Sequence, residues 1–187
     1  DKLMQNVMGD HDRLQIRIRQ TAHLCLSSRL FEGLEIGCVG LGEIGIHIPD
    51  QQDKAALMRD FEDTLSRFRE KTQGLNLSEH LFDLPNAKDE FSEDIMRLIG
   101  AMGDAATITN TPLLSLLAAI GGLRSLEFGN TSLSPLLYTL LGQGVIAHEH
   151  AYIEGRDLAR VAIRLMNEKR LDLWSYGRSR VHQFWFI

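Results

Sequence analysis

Between Thr111 and Arg170 the chain carries three helix-length apolar patterns separated by short breaks. Helices joined by so few residues have little choice but to fold back against one another. Thr111 followed by Pro112 predicts a helix start, because the hydroxyl accepts an otherwise unpaired amide and proline needs no donor at the first helical position. Leu113, Leu116, Leu117, Ile120 and Leu123 carry that helix to Gly129-Asn130, residue types that enter left-handed geometry cheaply and so stop helices. Ser134-Pro135 repeats the opening signal, and Leu137, Leu140, Leu141, Gly144, Ala147 and Ala151 form the stripe of a second helix, which Gly155 is expected to break. A third places Leu158, Val161, Ala162, Leu165 and Met166 on one face and Arg156, Arg160, Arg164 and Glu168 outside it.

The preceding residues repeat the theme. Asp10 or Asp12 is expected to cap a helix through Leu14, Ile18, Ala22 and Cys25, since the apolar period continues beyond strand length. Leu30, Leu34, Cys38 and Leu41 mark the next helix, and its glycines at 33, 37, 40, 42 and 45 suit the close approach of another helix at a cost of about 1 kcal/mol each in propensity. Asp50 or Gln52 opens a third, with Leu57, Phe61, Leu65 and Phe68, closed by Gly74. Residues 75–87 are expected to be an apolar loop lying between helices. From Lys88 the helical period returns through Phe91, Ile95, Leu98, Ile99, Met102 and Ala106, and a final helix is expected around Trp174, Gly177, Val181, Phe184 and Trp185. No valine- or isoleucine-rich strand interrupts this, so the chain reads as all-α: about eight helices in antiparallel pairs. Their spacing falls in the range of tetratricopeptide-like repeats, which stack as an α-solenoid.

Composition narrows the function classes. With 187 residues the chain fits a single domain over 1–187, and 44% hydrophobic with 24% charged residues is a globular balance rather than a disordered one. A net charge of −5 argues against a general binder of nucleic-acid backbones. Neither an apolar run long enough to span a membrane nor a signal peptide is visible. Cys25 and Cys38 both fall in expected helices, where they read as small apolar residues rather than a disulfide, which suits a reducing, cytoplasmic setting. A start at Asp1 and a finish at Phe184-Trp185-Phe186-Ile187 suggest a piece excised from a longer polypeptide.

Candidate chemistry is sparse. His148, Glu149 and His150 form the most ligand-like cluster, but two histidines two residues apart on a helix diverge by about 200°, whereas a zinc-binding helix wants them four apart. The glycines from 37 to 45 match neither dinucleotide nor P-loop spacing. Ser115 and Ser125 sit in apolar helices with no histidine and acid at suggestive positions. The expectation is therefore no catalytic residue, no metal and no cofactor. Asp60, Glu62, Asp63 and Glu70 alternate with Arg59, Arg67, Arg69 and Lys71, the signature of a solvated helix face. Arg156, Arg160 and Arg164, spaced by four, form one basic ridge and are the expected contacts for an acidic partner segment.

Several segments resemble a known arrangement. Gly33-Leu34-Glu35 with Leu41-Gly42-Glu43-Ile44-Gly45-Ile46-His47-Ile48-Pro49, then Leu81-Phe82-Asp83-Leu84-Pro85, Asn110-Thr111-Pro112-Leu113-Leu114, Glu127-Phe128-Gly129-Asn130-Thr131-Ser132 and Glu154-Gly155-Arg156 follow a common order. Together they resemble the tetratricopeptide-like helical region of very large signalling proteins similar to hybrid sensor histidine kinases. There a protein-kinase-like domain and a STAND/AAA-type ATPase precede the helical region, and GAF and histidine-kinase modules follow it. The resemblance implies a linker and sensing scaffold within an ATP-dependent sensor kinase, with no family catalytic residue carried over.

The sequence thus leads to a non-catalytic helical scaffold that binds protein segments or neighbouring domains of its own polypeptide, or relays conformational change between them. Two other readings stand beside it: a small helical-bundle enzyme using His148, Glu149 or His150, and a homo-oligomerising helical element supported by the aromatic C-terminal residues.

Overall fold

The computed structural model describes residues 9–168, and within them the chain is all-helical. Eight helices follow in order: α1 (Asp10–Leu26), α2 (Leu30–Glu43), α3 (Lys54–Thr72), α4 (Leu77–Asp83), α5 (Glu90–Thr109), α6 (Thr111–Phe128), α7 (Ser134–Glu149) and α8 (Tyr152–Glu168). Among the described residues the only β-type pairing is an isolated bridge between Asn86 and Asn130. The helix expected around Trp174 to Trp185 lies outside the described residues.

Helix starts fall beside the expected caps rather than on them. Asp53, not Asp50 or Gln52, accepts from the Ala56 amide at 2.9 Å and starts α3. Asn110, not Thr111, accepts from the Leu113 amide at 3.2 Å and starts α6, so Thr111 is already helical. In both cases the carbonyl-bearing side chain one residue before the helix reaches the orphan amide of the first turn. Asp89 does the same for α5, accepting from the Ser92 amide at 2.7 Å. At the start of α1 the cap position is Gly9, with no side-chain bond, so neither Asp10 nor Asp12 caps; both sit in the first turn and oppose the helix dipole. Ser134 is likewise the first residue of α7 rather than its cap.

Two expectations are corrected outright. Residues 75–87 are not simply a loop: Asn76 caps the short helix α4, whose Leu81 is buried. Gly155 does not break a helix. The chain turns earlier, at His150, which takes left-handed backbone angles (φ 57°, ψ 27°), and Gly155 lies in the first turn of α8. Its small size serves packing instead, because an added Cβ would come 2.5 Å from the Ile146 side chain and 2.9 Å from the Gly142 carbonyl oxygen.

Most of the apolar stripe positions read from the sequence pack, but Ala147 of the expected α7 stripe is exposed, and Ile18, Ala22 and Cys25 of α1 are only partly buried. Leu57, Phe61, Leu65 and Phe68 of α3 are completely buried, as are Leu158, Val161 and Ala162 of α8. One continuous apolar cluster draws side chains from every helix. Glycine sets the closest crossings: Gly37 of α2 faces Met102 of α5, and Gly40 faces both Arg17 of α1 and Leu98 of α5. These contacts run α2 antiparallel to both α1 and α5, while the Gln15–Asp94 bond and the shared position of Cys25 and Asp104 run α1 and α5 parallel. Helix α3 packs mainly on α6, α6 on α7, α7 on α8, and α4 on α8. The first hairpin therefore has α5 as its principal partner and not α3, the helix that follows it in sequence.

Polar side chains tie the ends of this stack. Asn130 donates to the Leu81 carbonyl at 2.8 Å, and its backbone amide donates to Pro85 O at 2.7 Å, joining the α6–α7 turn to the end of α4. Beside it, the Ser125 and Ser134 hydroxyls meet at 2.9 Å and Ser134 Oγ accepts from the Thr131 amide at 2.9 Å. Every one of these side chains is buried, where an unmade hydrogen bond costs about 1–3 kcal/mol.

Candidate functional site

The outward face of α8 carries the three arginines singled out from the sequence, and the structure separates them into two kinds. Arg156 and Arg160 flank Asp157, each 3.5 Å from its Oδ1, and their side chains remain 55% and 60% exposed. Arg164 is engaged inside the chain: it donates to Glu79 of α4 at 2.7 Å and its guanidinium lies 3.9 Å from the centre of the Phe82 ring. Glu79 holds the Arg164 guanidinium more firmly in its charged form. Its surface position limits what that pair contributes to stability. The outward-facing part of the ridge is thus Arg156 and Arg160, with Arg164 pinning α4 to α8.

His148, Glu149 and His150 do not converge. Glu149 points to Arg69 of α3, which donates to it at 2.5 Å and to Glu154 at 2.6 Å. Arg69 is therefore not simply part of a solvated face: it clamps the α7–α8 turn onto α3. The two carboxylates, Glu154 first and then Glu149, hold its guanidinium further toward the charged state. His150 lies beyond the end of α7, its ring stacked near Tyr152 at 6.3 Å. His148 turns the other way, toward Ser115 of α6, with Nε2 3.1 Å from Oγ, and its ring lies 5.6 Å from that of Phe61.

That serine–histidine contact overturns the expectation that Ser115 has no histidine partner. Positions 115 and 148 are 33 residues apart, and only the antiparallel crossing of α6 and α7 brings them together. Gly144 permits it, since a Cβ there would already lie 3.3 Å from Ser115 Oγ and 3.6 Å from Phe61. Ser115 is itself 2% exposed. A hydroxyl so deeply placed is presented to neighbouring helices rather than to a substrate, and the pair reads as an interhelical hydrogen bond.

A second polar group missed in the sequence is Asp94 of α5, whose carboxylate is fully buried. It accepts from Gln15 of α1 and from Arg97 at 3.1 Å, and His11 Nδ1 lies 3.5 Å away. Asp94 falls next to Ile95 in the apolar stripe, so only its partner helix could have identified it as buried. Cys25 and Cys38 are both free thiols, each half-buried. Burial pushes the Cys38 thiol up to about 11 against the opposing hydrogen bond from Gln51.

A groove of about 630 Å³ with a mainly apolar lining lies between α1 and α5. Ile18, Ala22 and Leu26 form one wall and Ala101 and Ile108 the other, with Leu133 closing one end. Leu26 is 87% exposed and Ile108 75% exposed at its rim. A second concavity, between α3 and α6, is polar and mixes His47, Asp60, Asp63 and Arg67 with Arg124 and Glu127. Among the described residues no group of three or more histidine, cysteine or acidic side chains is arranged to hold a metal ion. No described helix is long and apolar enough to cross a membrane. Comparison with protein-family models, with curated proteins and with solved structures finds no match to this chain.

Proposed function

We infer that the chain is a non-catalytic helical scaffold that binds protein segments or relays conformational change between neighbouring domains of a larger, cytoplasmic signalling polypeptide. One observation carries this reading: Arg156 and Arg160 stand outward on a helix whose opposite face, from Leu158 to Met166, is packed into the core. Two exposed cations against the single carboxylate of Asp157 make a basic strip on an otherwise acidic chain. Such a strip suits an acidic segment, where charge complementarity sets partner choice and association rate. The shared core supports a relay, because packed interfaces shift between discrete arrangements rather than deforming smoothly.

The finer architecture of this proposal is a tetratricopeptide-like solenoid. The parallel neighbours α3 and α6, joined at their starts by Asn110 and Gln51 and further along by Gly122 and Phe68, stand as first helices of successive pairs do in such stacks. A solenoid in strict sequence order would also place the second pair directly on the first. Here α5 takes that position, so the proposed solenoid is one with α3 and α4 displaced outward toward α6 and α8.

The test is charge reversal at Arg156 and Arg160 together in the full chain, followed by titration of a labelled acidic helical peptide. Both side chains are exposed, so the fold should persist, as its helical circular-dichroism spectrum would verify. Affinity should fall at least about tenfold, equivalent to about 1.4 kcal/mol. Equal affinity for the reversed and original chains removes the assignment.

A second reading, a small helical-bundle enzyme, rests on the Ser115–His148 contact alone. Labelling of Ser115 by a serine-reactive fluorophosphonate would favour it over the scaffold.

A further inference from the structure

We propose that the outward face of α8 is one half of a two-helix seam, and that the other half is an acidic amphipathic helix with apolar residues at its outer contact positions. This rests on the basic strip of Arg156 and Arg160 receiving an acidic segment, and adds the apolar contacts that decide which acidic helix fits. Ile153, Arg156, Arg160 and Ile163 follow one another at intervals of three, four and three residues. On a helix of about 3.6 residues per turn these four fall within an arc of about 80° and span about 15 Å. That is the spacing with which one helix meets another along a coiled seam.

All four side chains face outward. Ile153 is 70% exposed and Ile163 38% exposed, and the arginine side chains between them are 55% and 60% exposed. Leu158, Val161, Ala162 and Leu165 lie on the opposite side of the helix and are already packed into the core. A single exposed apolar residue is ordinary, whereas two at helical spacing on one face, bracketing two cations, form a pattern that a partner helix can read. Beside Ile153, Leu77, Ala151 and Tyr152 line a shallow concavity that gives a partner's outer apolar side chain a seat.

Charge decides what covers the seam. Paired with a second copy of itself, parallel or antiparallel, the face would set arginine against arginine at both inner positions, a repulsion that disfavours that partner. A helix with carboxylates at its inner positions meets both guanidiniums instead, and the planar fork of arginine suits a carboxylate. Asp157 supplies one carboxylate, 3.5 Å from each arginine, so the pair keeps a net positive charge. Arg164, the next cation round the helix, is held by Glu79 and does not compete. The partner so selected carries apolar residues at positions i and i+10 and Asp or Glu at i+3 and i+7.

Fluorescence anisotropy of labelled helical peptides against the full chain tests this. One peptide carries leucine at the two outer positions and glutamate at the two inner ones, a second has alanine for leucine, and a third has lysine for glutamate. The chain should bind the first at least about tenfold more tightly than the second, and should not bind the third. Ile153→Gln with Ile163→Gln, both outside the core, should leave the circular-dichroism spectrum unchanged and erase the preference for leucine over alanine. Arg156→Glu with Arg160→Glu should transfer binding from the first peptide to the third. Equal affinity for the leucine and alanine peptides, or a leucine preference that survives the isoleucine variant, overturns the seam and leaves the basic strip standing. Indifference of the alanine peptide to charge reversal, or failure of the chain to bind any of the three, removes the strip and the seam together. Self-association of the unmodified chain that the isoleucine variant abolishes overturns the proposal in favour of a second copy.

Discussion

Tyr138 of α7 donates its phenolic proton to Asn130 Oδ1 at 2.8 Å, and both residues are buried. Because Asn130 also donates to the Leu81 carbonyl, this bond links the α6–α7 turn, the end of α4 and the body of α7 in one chain of contacts. Burial pushes the phenol up from its ordinary range, so it stays a donor under all ordinary conditions.

Truncating this chain of contacts should cost stability in proportion to the groups left unpaired. Tyr138→Phe removes one donor and should cost about 1 kcal/mol, whereas Asn130→Ala orphans both Tyr138 and the Leu81 carbonyl and should cost about 2–4 kcal/mol. Urea denaturation followed by circular dichroism measures both. Equal losses would mean that the Leu81 contact contributes nothing.

Gly129 should be irreplaceable at the same turn. Its φ of 101° with ψ of 174° lies where only glycine is comfortable, and an added Cβ would run into the Pro85 carbonyl oxygen. Gly129→Ala should destabilise the chain by at least about 2 kcal/mol. By contrast, Gly42→Ala faces open space inside α2 and should stabilise by up to about 1 kcal/mol. A thermal-unfolding comparison of the two variants checks the contrast in sign.

Thr21 offers a case where less polarity should help. It is 0% exposed and its hydroxyl has no hydrogen-bond partner, so it bears a desolvation penalty without return. Thr21→Val keeps the shape and should leave stability unchanged or raise it by about 1 kcal/mol. A loss of more than 1 kcal/mol in urea denaturation would show that the hydroxyl has a partner after all.

Stability should also carry an alkaline signature from Cys38. Its thiol titrates near 11 in the folded chain, above the ordinary thiol range, so the native state holds the proton more tightly than the unfolded one. That contribution is complete below about pH 8.5 and is lost as pH rises toward 11. The unmodified chain should therefore lose more stability between these limits than Cys38→Ala does, measured as the shift in urea midpoint. Alkylation of Cys38 should remain slow at pH 8 and accelerate only in strong alkali.

The helices were legible because their signals are local. The α3 stripe from Leu57 to Phe68 and the α8 stripe from Leu158 to Met166 depend only on a 3.6-residue period, and both are buried as expected. Cap positions slipped by a residue or more because Asn110 and Asp53 compete with Thr111 and Gln52 for the same role, and the amide side chain or carboxylate prevailed. Gly155 was misread because a glycine that breaks a helix and one that lets two helices touch look alike in one dimension. The pairings of Ser115 with His148, and of Arg164 with Glu79 and Phe82, join positions 33 to 85 residues apart, and no local pattern encodes such a meeting. Arg156 and Arg160, which need only to face outward, were read directly from their spacing.

A scaffold that relays a change from α8 toward α1 requires the helices between them to behave as one unit. Native-state hydrogen exchange of the full chain tests this most directly, because it assigns each buried amide an opening free energy. The most protected amides of α5, α6 and α7 should share one value, equal to the global unfolding free energy and lowered together by denaturant. Distinct plateaus for α5 and for α7, opening independently of each other, would contradict the account.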